Sequence, residues 1–247
     1  SLSAADVPTS GSTAFITDGH FALAQDGVIT EIMPINDFAP ALNGAARYNM
    51  SNALGAILLM HRMGADVEAI RQGLLSFEST ASDNPGRGNF MDVGGVKVVI
   101  DFAHNPHGMS ALTTALSSVP AKRRLYMCGQ GGDRSDADIY KLVEVIRNAE
   151  PDAIIVRDMP SKLRGRQPGE VPALIRRYLA DMNYPNDQID EADTEVEAVQ
   201  KAFEWAQPGD LLVLLIYEKR EKPLGLIEKL RAENWQPGDA VVDAIKI

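Results

Sequence analysis

The sequence lacks several features that would assign it to a particular class of protein. It contains one cysteine, Cys128, among 247 residues, so no disulfide can form within the chain. No apolar run approaches the roughly 20 residues that a membrane-spanning helix needs. The N-terminal residues also lack the basic stretch followed by an apolar stretch that is typical of a signal peptide. We therefore expect a cytoplasmic protein without a membrane role.

Positive charge is scarce. The chain has 24 lysines and arginines against 34 aspartates and glutamates, which gives a formal net charge of -10. Nucleic acids and membrane surfaces select a positive field, so we expect neither as a general partner, although a local basic pocket for a nucleotide stays compatible.

Known ligand-binding signatures are missing too. The sequence has neither the phosphate loop G-x-x-x-x-G-K-[ST] nor the dinucleotide pattern G-x-G-x-x-G, which disfavours a Rossmann dehydrogenase. No cysteine or histidine cluster has ligand spacing, so no zinc site is expected.

The N-terminal part of the sequence predicts three short strands. Apolar runs at residues 13–17, 21–25 and 28–33 are separated by Asp18-Gly19 and Asp26-Gly27. Asp-Gly between apolar runs is typical of a hairpin, so the first 40 residues predict a small β-meander.

Two helices are predicted next, between residues 48 and 76, from apolar residues at helical spacing. Asn49 is placed to cap the first of them, whereas Asn52, one turn later, is less easily explained by capping. A polar loop at residues 82–88 follows, and we place a domain boundary between residues 92 and 93.

The remaining chain alternates between strands and helices. Strands are predicted at residues 96–100, 124–127, 153–156, 188–189 and 211–216, and helices at 106–118, 136–148, 170–182, 194–206 and 224–233. Short apolar runs between helices predict an α/β fold with a Rossmann-like, mostly parallel sheet and helices on both faces. Residues 241–247 suggest a last edge strand. Ligands of such sheets bind beyond the carboxyl ends of the strands.

Polar residues follow the first of these strands. The segment from Asp101 to Pro106 places an acid, an imidazole and an amide where a helix begins. Capping explains Asn105, and Pro106 suits a first helical turn. Asp101 and His104 are left with two interpretations, a ligand contact or a local hydrogen-bond network.

Other strand ends carry further candidates. A glycine-rich segment that includes Asp133 and Arg134 follows the second strand and permits close backbone approach. The basic loop with Arg164 and Arg166 is suited to a carboxylate or forms a solvated surface. Glu218 is placed to meet a cationic group or simply begins a helix.

Together these segments resemble the ordered motifs of the Mur ligases. The motifs are Asn49-x-x-Asn52-Ala53-Leu54-Gly55-Ala56, Pro85-Gly86-Arg87, Asp101-Phe102-Ala103-His104-Asn105-Pro106 and Gly132-Asp133-Arg134. Within that family, the stretches Val93–Val99 and Arg164-Gly165-Arg166-x-x-Gly169-Glu170 are most similar to the ligase half of the cyanophycin synthetases.

The resemblance implies an ATP- and Mg²⁺-dependent ligase that activates a carboxyl group as an acyl phosphate and joins it to an amine. For the cyanophycin group this is the addition of arginine to aspartate side chains. The implied nucleotide contacts are Asn52, Arg87, Asp101, His104 and Asn105. The implied substrate contacts are Asp133, Arg134, Arg164, Arg166 and Glu218. No catalytic residue is assigned.

The resemblance also implies an incomplete enzyme. Residues 1–92 would be the end of a central ATPase domain and residues 93–247 a C-terminal domain. The phosphate loop and most magnesium ligands would lie upstream of Ser1, so we expect these residues alone to be inactive. The expected partners are an amino acid and a peptide or polymer acceptor, and a homo-oligomer is compatible. Another Mur-type ligase, acting on muramyl peptide or polyglutamate, and a non-catalytic nucleotide- or amino-acid-binding module remain alternatives.

Overall fold

A computed structural model describes Val7 and residues 9–80, 84–218 and 220–241. These residues divide into two compact units. The first contains the described residues up to Ser79 together with Thr114–Ser118, and the second contains the others. None of the helices in the described ranges is long and apolar enough to cross a bilayer.

The first unit is an antiparallel meander with two helices. Its elements are β1 (Ser12–Thr17), β2 (His20–Gln25), β3 (Val28–Pro34), α1 (Arg47–Arg62) and α2 (Val67–Ser76). Both hairpin turns have Asp-Gly at positive φ, 47° and 76° at the first and 50° and 84° at the second. Phe21 and Leu23 of β2 pack with Met50 and Ile57 of α1. The predicted meander and both helices are confirmed.

Asn49 does not cap α1, and that prediction was wrong. The helix begins at Arg47, with Ala46 at the N-cap and no side-chain cap. Asn49 therefore lies inside the first turn, where its Nδ2 donates to the Pro40 carbonyl at 2.8 Å. Asn52 is exposed on the same helix.

The second unit is an α/β domain. Its elements are β4 (Asn89–Val93), β5 (Val96–Asp101), α3 (Pro106–Ser117), β6 (Arg124–Cys128), α4 (Asp136–Asn148), β7 (Ala153–Arg157), α5 (Glu170–Asp181), β8 (Ile189–Ala192), α6 (Glu195–Trp205), β9 (Leu211–Leu215) and α7 (Glu221–Ala232). The strands form one sheet in the order β4-β5-β9-β6-β7-β8. All pairs are parallel except β4 with β5.

Strand β4 is the element that the sequence pattern did not predict. It joins β5 through Gly94 and Gly95, which adopt φ of 60° and 77°. A Cβ on Gly94 would lie 2.4 Å from the Trp235 carbonyl oxygen. The turn therefore requires glycine for its backbone conformation and for close packing.

The sheet is covered on both faces, as strands of this kind require. All five residues of β9, Leu211–Leu215, have 0% exposure. Leu212 and Leu214 pack in one core with Ala198, Phe203 and Leu226 of α6 and α7. Both α5 and α6 contact β7. The amphipathic helices and the apolar strands therefore form the predicted layers.

The strand order sets the position of the site. The chain runs from β5 to β6, β7 and β8, and then returns to insert β9 between β5 and β6. The direction of the winding reverses here, so the carboxyl ends of these strands border a crevice. The edge strand predicted at residues 241–247 lies, apart from Val241, outside the described residues.

Candidate functional site

The Pro85-Gly86-Arg87 loop is held by two side chains that lie far apart in the sequence. Asn89 is fully buried, accepts a hydrogen bond from the Gly86 N–H at 2.6 Å and donates to the Asn84 carbonyl at 2.9 Å. Arg220 donates from Nη1 to the Pro85 carbonyl at 2.9 Å. Gly86 has a φ of 75°, and a Cβ there would meet Arg220 Cδ at 3.4 Å. The conformation of the loop is therefore stabilised by hydrogen bonds to both side chains.

Replacing Arg220 by methionine should loosen this loop. The change removes a charged hydrogen bond and a cation–π contact, together worth about 1–2 kcal/mol. Amide hydrogen exchange at residues 84–89 should then accelerate by roughly 5- to 30-fold. Arg231→Met is the matched control, because Arg231 pairs only locally with Glu228 on α7. Unchanged exchange in Arg220→Met would show that Arg220 does not hold the loop.

Asp101 ties this loop to the end of β5. Its Oδ1 accepts the Ala103 N–H at 2.7 Å, and its carboxylate also interacts with the backbone N–H of Gly88. Burial raises the pKa of the Asp101 carboxyl, while these N–H groups and the charge of Arg87 act in the opposite direction. The acid–His motif and the Pro-Gly-Arg motif thus meet at one strand end.

Phe102 is the centre of this cluster. The guanidinium carbons of Arg87 and Arg220 lie 4.9 and 5.4 Å from its ring centroid. The rings of His104 and Tyr217 lie at 5.1 and 5.3 Å. His104 Nδ1 lies 3.0 Å from the Phe102 carbonyl oxygen. Two cations and an imidazole therefore border this ring, one residue after Asp101, and this set suits a phosphate or ribose.

Asn105 caps the helix that follows β5. Its Oδ1 accepts the Gly108 N–H at 2.8 Å at the start of α3, and Pro106 is the first residue of that helix. The predicted cap is therefore confirmed.

The glycine-rich turn after β6 packs against the basic loop after β7. The Gly132 N–H donates to the Lys162 carbonyl at 2.9 Å. Arg166 donates to the carbonyls of Gly132 and Arg134 at 3.2 and 2.9 Å, and pairs with Asp136 at 2.7 Å. The glycine-rich turn and the basic loop are far apart in the sequence but form one surface, and Arg166 joins them by hydrogen bonds.

Arg164 and Asp133 form an ion pair across the same surface, at 2.5 Å, with 53% and 41% of their side chains exposed. An ion pair this exposed is weak. A substrate carboxylate can therefore replace Asp133 on Arg164 at little cost, whereas Arg166 is engaged by several protein partners.

A second strand end carries a buried ion pair. Arg157, the last residue of β7, donates to Glu195 Oε1 at 2.5 Å, and the two side chains are 0% and 4% exposed. Burial raises the pKa of the Glu195 carboxyl, and the Arg157 charge lowers it. The carboxylate also accepts the N–H groups of Tyr217 and Glu218.

A cavity of about 570 Å³ opens beside this pair. Its lining residues are Pro160, Ser161, Asp193, Thr194, Glu195, Val196, Glu197, Gln200, Glu218, Lys222 and Pro223. Four of them are acidic and one is basic, so the cavity favours a cationic guest. The Ser161 hydroxyl donates to Glu218 Oε1 inside it.

Sequence reasoning assigned no role to Asn89, Arg220 or Glu195, and it did not find the buried partner of Arg157. One weak signal was available for Arg157, because a charge at the end of an otherwise apolar strand needs a buried partner. The partner itself is 38 residues away and has no local signature.

The predicted nucleotide contacts divide between the two units. Arg87, Asp101, His104 and Asn105 lie together in the second unit, and their chemistry fits a nucleotide phosphate and ribose. Asn52 belongs to the first unit. In the described ranges, no three or more His, Cys, Asp or Glu side chains are grouped so that they could hold a metal ion.

The fold is an α/β domain with a mostly parallel sheet, and its polar motifs stand at the strand ends. The family described as "Mur ligase, glutamate ligase domain" matches residues 86–215, more than half of the chain. The chain belongs to the Mur ligase family.

Curated relatives are ligases of this family. The chain is 31% identical over 204 residues to the cyanophycin synthetase of Geminocystis herdmanii, covering 83% of this chain and 23% of that protein. It is 26% identical over 238 residues to the Trichormus variabilis enzyme, covering 94% and 26%. It is 30% identical over 223 residues to UDP-N-acetylmuramoyl-L-alanyl-D-glutamate–2,6-diaminopimelate ligase of Corynebacterium efficiens, covering 84% and 39%. The chain thus spans about a quarter of the cyanophycin synthetases that it matches.

Solved structures share the fold. E. coli FolC in complex with ADP has a TM-score of 0.63 at 22% identity, covering 89% of this chain and 46% of that chain. The MurF ligase of Thermotoga maritima in complex with ADP has a TM-score of 0.52 at 16% identity, with the same coverage. These similarities confirm the predicted fold class, and the relatives confirm the resemblance to Mur ligases and cyanophycin synthetases.

Proposed function

We propose that this chain is the nucleotide-closing and amino-acid-binding part of an ATP-dependent amide ligase, of the type that adds arginine to aspartate side chains. One observation carries the proposal. Arg87 and His104 lie against the ring of Phe102, and the Asp101 carboxylate interacts with the backbone N–H groups of Ala103 and Gly88, so the Pro-Gly-Arg loop and the acid–His segment meet at the end of β5. The similarity to cyanophycin synthetases supports the choice of substrates.

In this proposal the Phe102 cluster contacts the nucleotide. Arg87 is exposed and binds phosphate, while Asp101 and His104 face the ribose and phosphate side. The exposed Asn105 keeps its amide N–H groups for the same ligand. ATP supplies the phosphoryl group that activates the acceptor carboxyl.

The incoming amino acid binds between the acidic cavity and the basic loop, away from the Phe102 cluster. Glu218 meets its cationic side chain, because this half-buried carboxylate lines the acidic cavity and accepts a hydrogen bond from the neutral Ser161 hydroxyl. Arg164 takes the α-carboxylate in exchange for Asp133, and Arg166 and Arg134 keep the surrounding surface in place. An acidic cavity for the side chain and a basic loop for the carboxylate suit an amino acid such as arginine.

Diaminopimelate is the second candidate, because the Corynebacterium efficiens relative covers most of the chain at 30% identity. Its second amino group would also be attracted by the acidic cavity. The two candidates differ in the acceptor, which is an aspartate-rich primer for arginine and a muramyl peptide for diaminopimelate.

We also propose a cytoplasmic location, where ATP and free amino acids are available. The single thiol, Cys128, is compatible with any redox setting, because burial raises its pKa to about 12 and keeps it protonated.

The deciding experiment is an ATP-consumption screen of the full-length protein. Each amino acid is tested with an aspartate-rich primer and with a muramyl peptide. We expect ADP release with arginine and the primer. Release only with diaminopimelate and the muramyl peptide would overturn the substrate assignment, and no release with any pair would overturn the ligase proposal. A further arm uses these 247 residues alone, for which we expect no turnover.

Replacing Arg87 by alanine in the full-length protein should lower kcat/KM for ATP by roughly 100-fold, because a guanidinium that stabilises a transferring phosphoryl group contributes about 3 kcal/mol. Arg71→Ala is the control, since Arg71 is exposed on α2 and pairs with Glu68. Equal effects of the two changes would show that Arg87 has no special role at the nucleotide.

A further inference from the structure

The buried ion pair of Arg157 and Glu195 lies between two strand ends. Besides Glu195, Arg157 donates from Nη2 to the Leu215 carbonyl at 3.2 Å and from Nη1 to the Asp158 carbonyl at 3.3 Å. Its guanidinium carbon is 5.1 Å from the Tyr217 ring centroid. The guanidinium therefore joins the end of β7 to the end of β9 and fixes the Glu195 carboxylate between them.

From this position Glu195 accepts hydrogen bonds from the backbone that follows β9. Its Oε1 accepts the Tyr217 N–H at 2.5 Å, and both of its oxygens lie 2.9 Å from the Glu218 nitrogen. From the other side, Lys162 Nζ donates to the Tyr217 carbonyl at 2.8 Å. Charged side chains therefore bind the N–H groups of Tyr217 and Glu218 and the Tyr217 carbonyl. Hydrogen bonds to charged groups are strong.

The direction of the Glu218 side chain depends on this backbone. Its carboxylate lines the acidic cavity and accepts a hydrogen bond from Ser161. The Tyr217 hydroxyl donates to the Ala103 carbonyl at 2.5 Å, in the segment that carries His104. A shift of this segment would therefore move the Glu218 carboxylate, and even a small displacement of a binding group weakens its contact with the ligand.

We propose that Arg157 and Glu195 are positioning residues, which hold the Tyr217–Glu218 backbone so that the Glu218 carboxylate meets the cationic group of the incoming amino acid. This inference rests on the proposed function, because it takes Glu218 as the contact to that group. Neither Arg157 nor Glu195 touches the amino acid in this arrangement.

Glu195→Gln is the test variant. Glutamine keeps the size of the side chain but loses the charge that pairs with Arg157. Its amide NH₂ cannot accept from the Glu218 N–H. The matched control is Asp210→Asn at the opposite end of β9. Asp210 is 1% exposed, pairs with Arg123 at 2.5 Å and accepts a backbone N–H from Gln207. Both variants weaken a carboxylate–arginine pair beside β9, but only one pair faces the cavity.

KM for L-arginine and KM for ATP are measured on the full-length protein with an aspartate-rich primer. Glu195→Gln should raise KM for L-arginine about 10-fold or more and leave KM for ATP within about twofold, the selective loss expected when one subsite is displaced. Asp210→Asn should change neither value. Equal changes of both constants in Glu195→Gln, or the same selective change in Asp210→Asn, would overturn the proposal.

A double-mutant cycle adds a readout that a general loss of stability would not reproduce. If Glu195 acts through Glu218, Glu195→Gln should have little further effect on KM for L-arginine in a Glu218→Gln background. Additive effects would contradict the coupling.

Hydrogen exchange separates this inference from the proposed function, because it needs no turnover. The Tyr217 and Glu218 amides should exchange faster in Glu195→Gln but not in Asp210→Asn. Without arginine-dependent ADP release in the wild-type protein, the proposed function fails while exchange still decides whether the pair holds the segment. Unchanged exchange would refute the positioning role.

Discussion

Alanine at Gly132 is expected to lower the unfolding free energy of the second unit by about 3 kcal/mol, the upper range for overpacking a tight site. A Cβ there would lie 1.8 Å from the Leu163 carbonyl oxygen and 2.8 Å from its carbon. These are backbone atoms of the basic loop, so no side-chain rotation can relieve the overlap. The glycine-rich turn and the basic loop must therefore separate, and the hydrogen bond from the Gly132 N–H to Lys162 is lost.

Thermal unfolding measures this effect, with an expected decrease of roughly 6–12 °C for a unit of this size. Gly225→Ala is the control, because nothing lies within 4 Å of a Cβ added at that helical position. It should raise stability by about 0.5–1 kcal/mol, the preference of a helix for alanine over glycine. A Gly132→Ala protein as stable as the wild type would show that the two loops are not in the contact described.

Replacing Arg157 by methionine is expected to cost about 3–5 kcal/mol, the usual consequence of leaving one buried charge without its partner. Methionine fills most of the space of the arginine stem, so the loss reports the charge and its hydrogen bonds more than a cavity. The Glu195 carboxylate would keep its two backbone donors but lose the cation that offsets its burial. Denaturant unfolding at neutral pH measures the loss.

The pH dependence of that loss has a definite sign. Burial raises the pKa of Glu195, so the folded state binds this proton more tightly than the unfolded state. The contribution of this proton to the unfolding free energy is fully present below the pKa of Glu195 in the unfolded state. It is lost as the pH rises through the pKa of Glu195 in the folded state. Arg157→Met removes the main lowering influence, so the pKa rises further and the variant should be less impaired at pH 5 than at pH 8. An equal loss at both pH values would contradict this account.

Local chemistry was sufficient to predict most elements of the fold. Asp-Gly pairs marked both turns of the meander, and apolar runs bounded by helix signals marked β5, β6, β7 and β9 within a residue or two. Strand β4 was not predicted because the polar residues Asn89 and Asp92 interrupt its apolar pattern, and because only its two end residues, Asn89 and Val93, are buried. Its existence depends on pairing with β5 across Gly94-Gly95.

The candidate site was predictable where a residue follows its own strand. Asp101, His104 and Glu218 all stand at strand ends, and the sequence placed them there. Arg166 shows the limit of that rule, because its donors engage the backbone of Gly132 and Arg134, more than 30 residues away. A basic residue in a loop has the same sequence appearance whether it binds a substrate or a neighbouring loop.

By itself the sequence determined the class of fold, the strand ends and the motifs that mark a Mur ligase, because turn residues, capping and apolar periodicity are local properties. Only the tertiary structure decided which of these ends meet. Arg220, 135 residues beyond Pro85, donates to the Pro85 carbonyl of the Pro-Gly-Arg loop, and Glu195, which pairs with Arg157, accepts the Glu218 N–H. Such partners are chosen by strand order and burial, since a buried charge must find its counter-charge wherever the fold provides one.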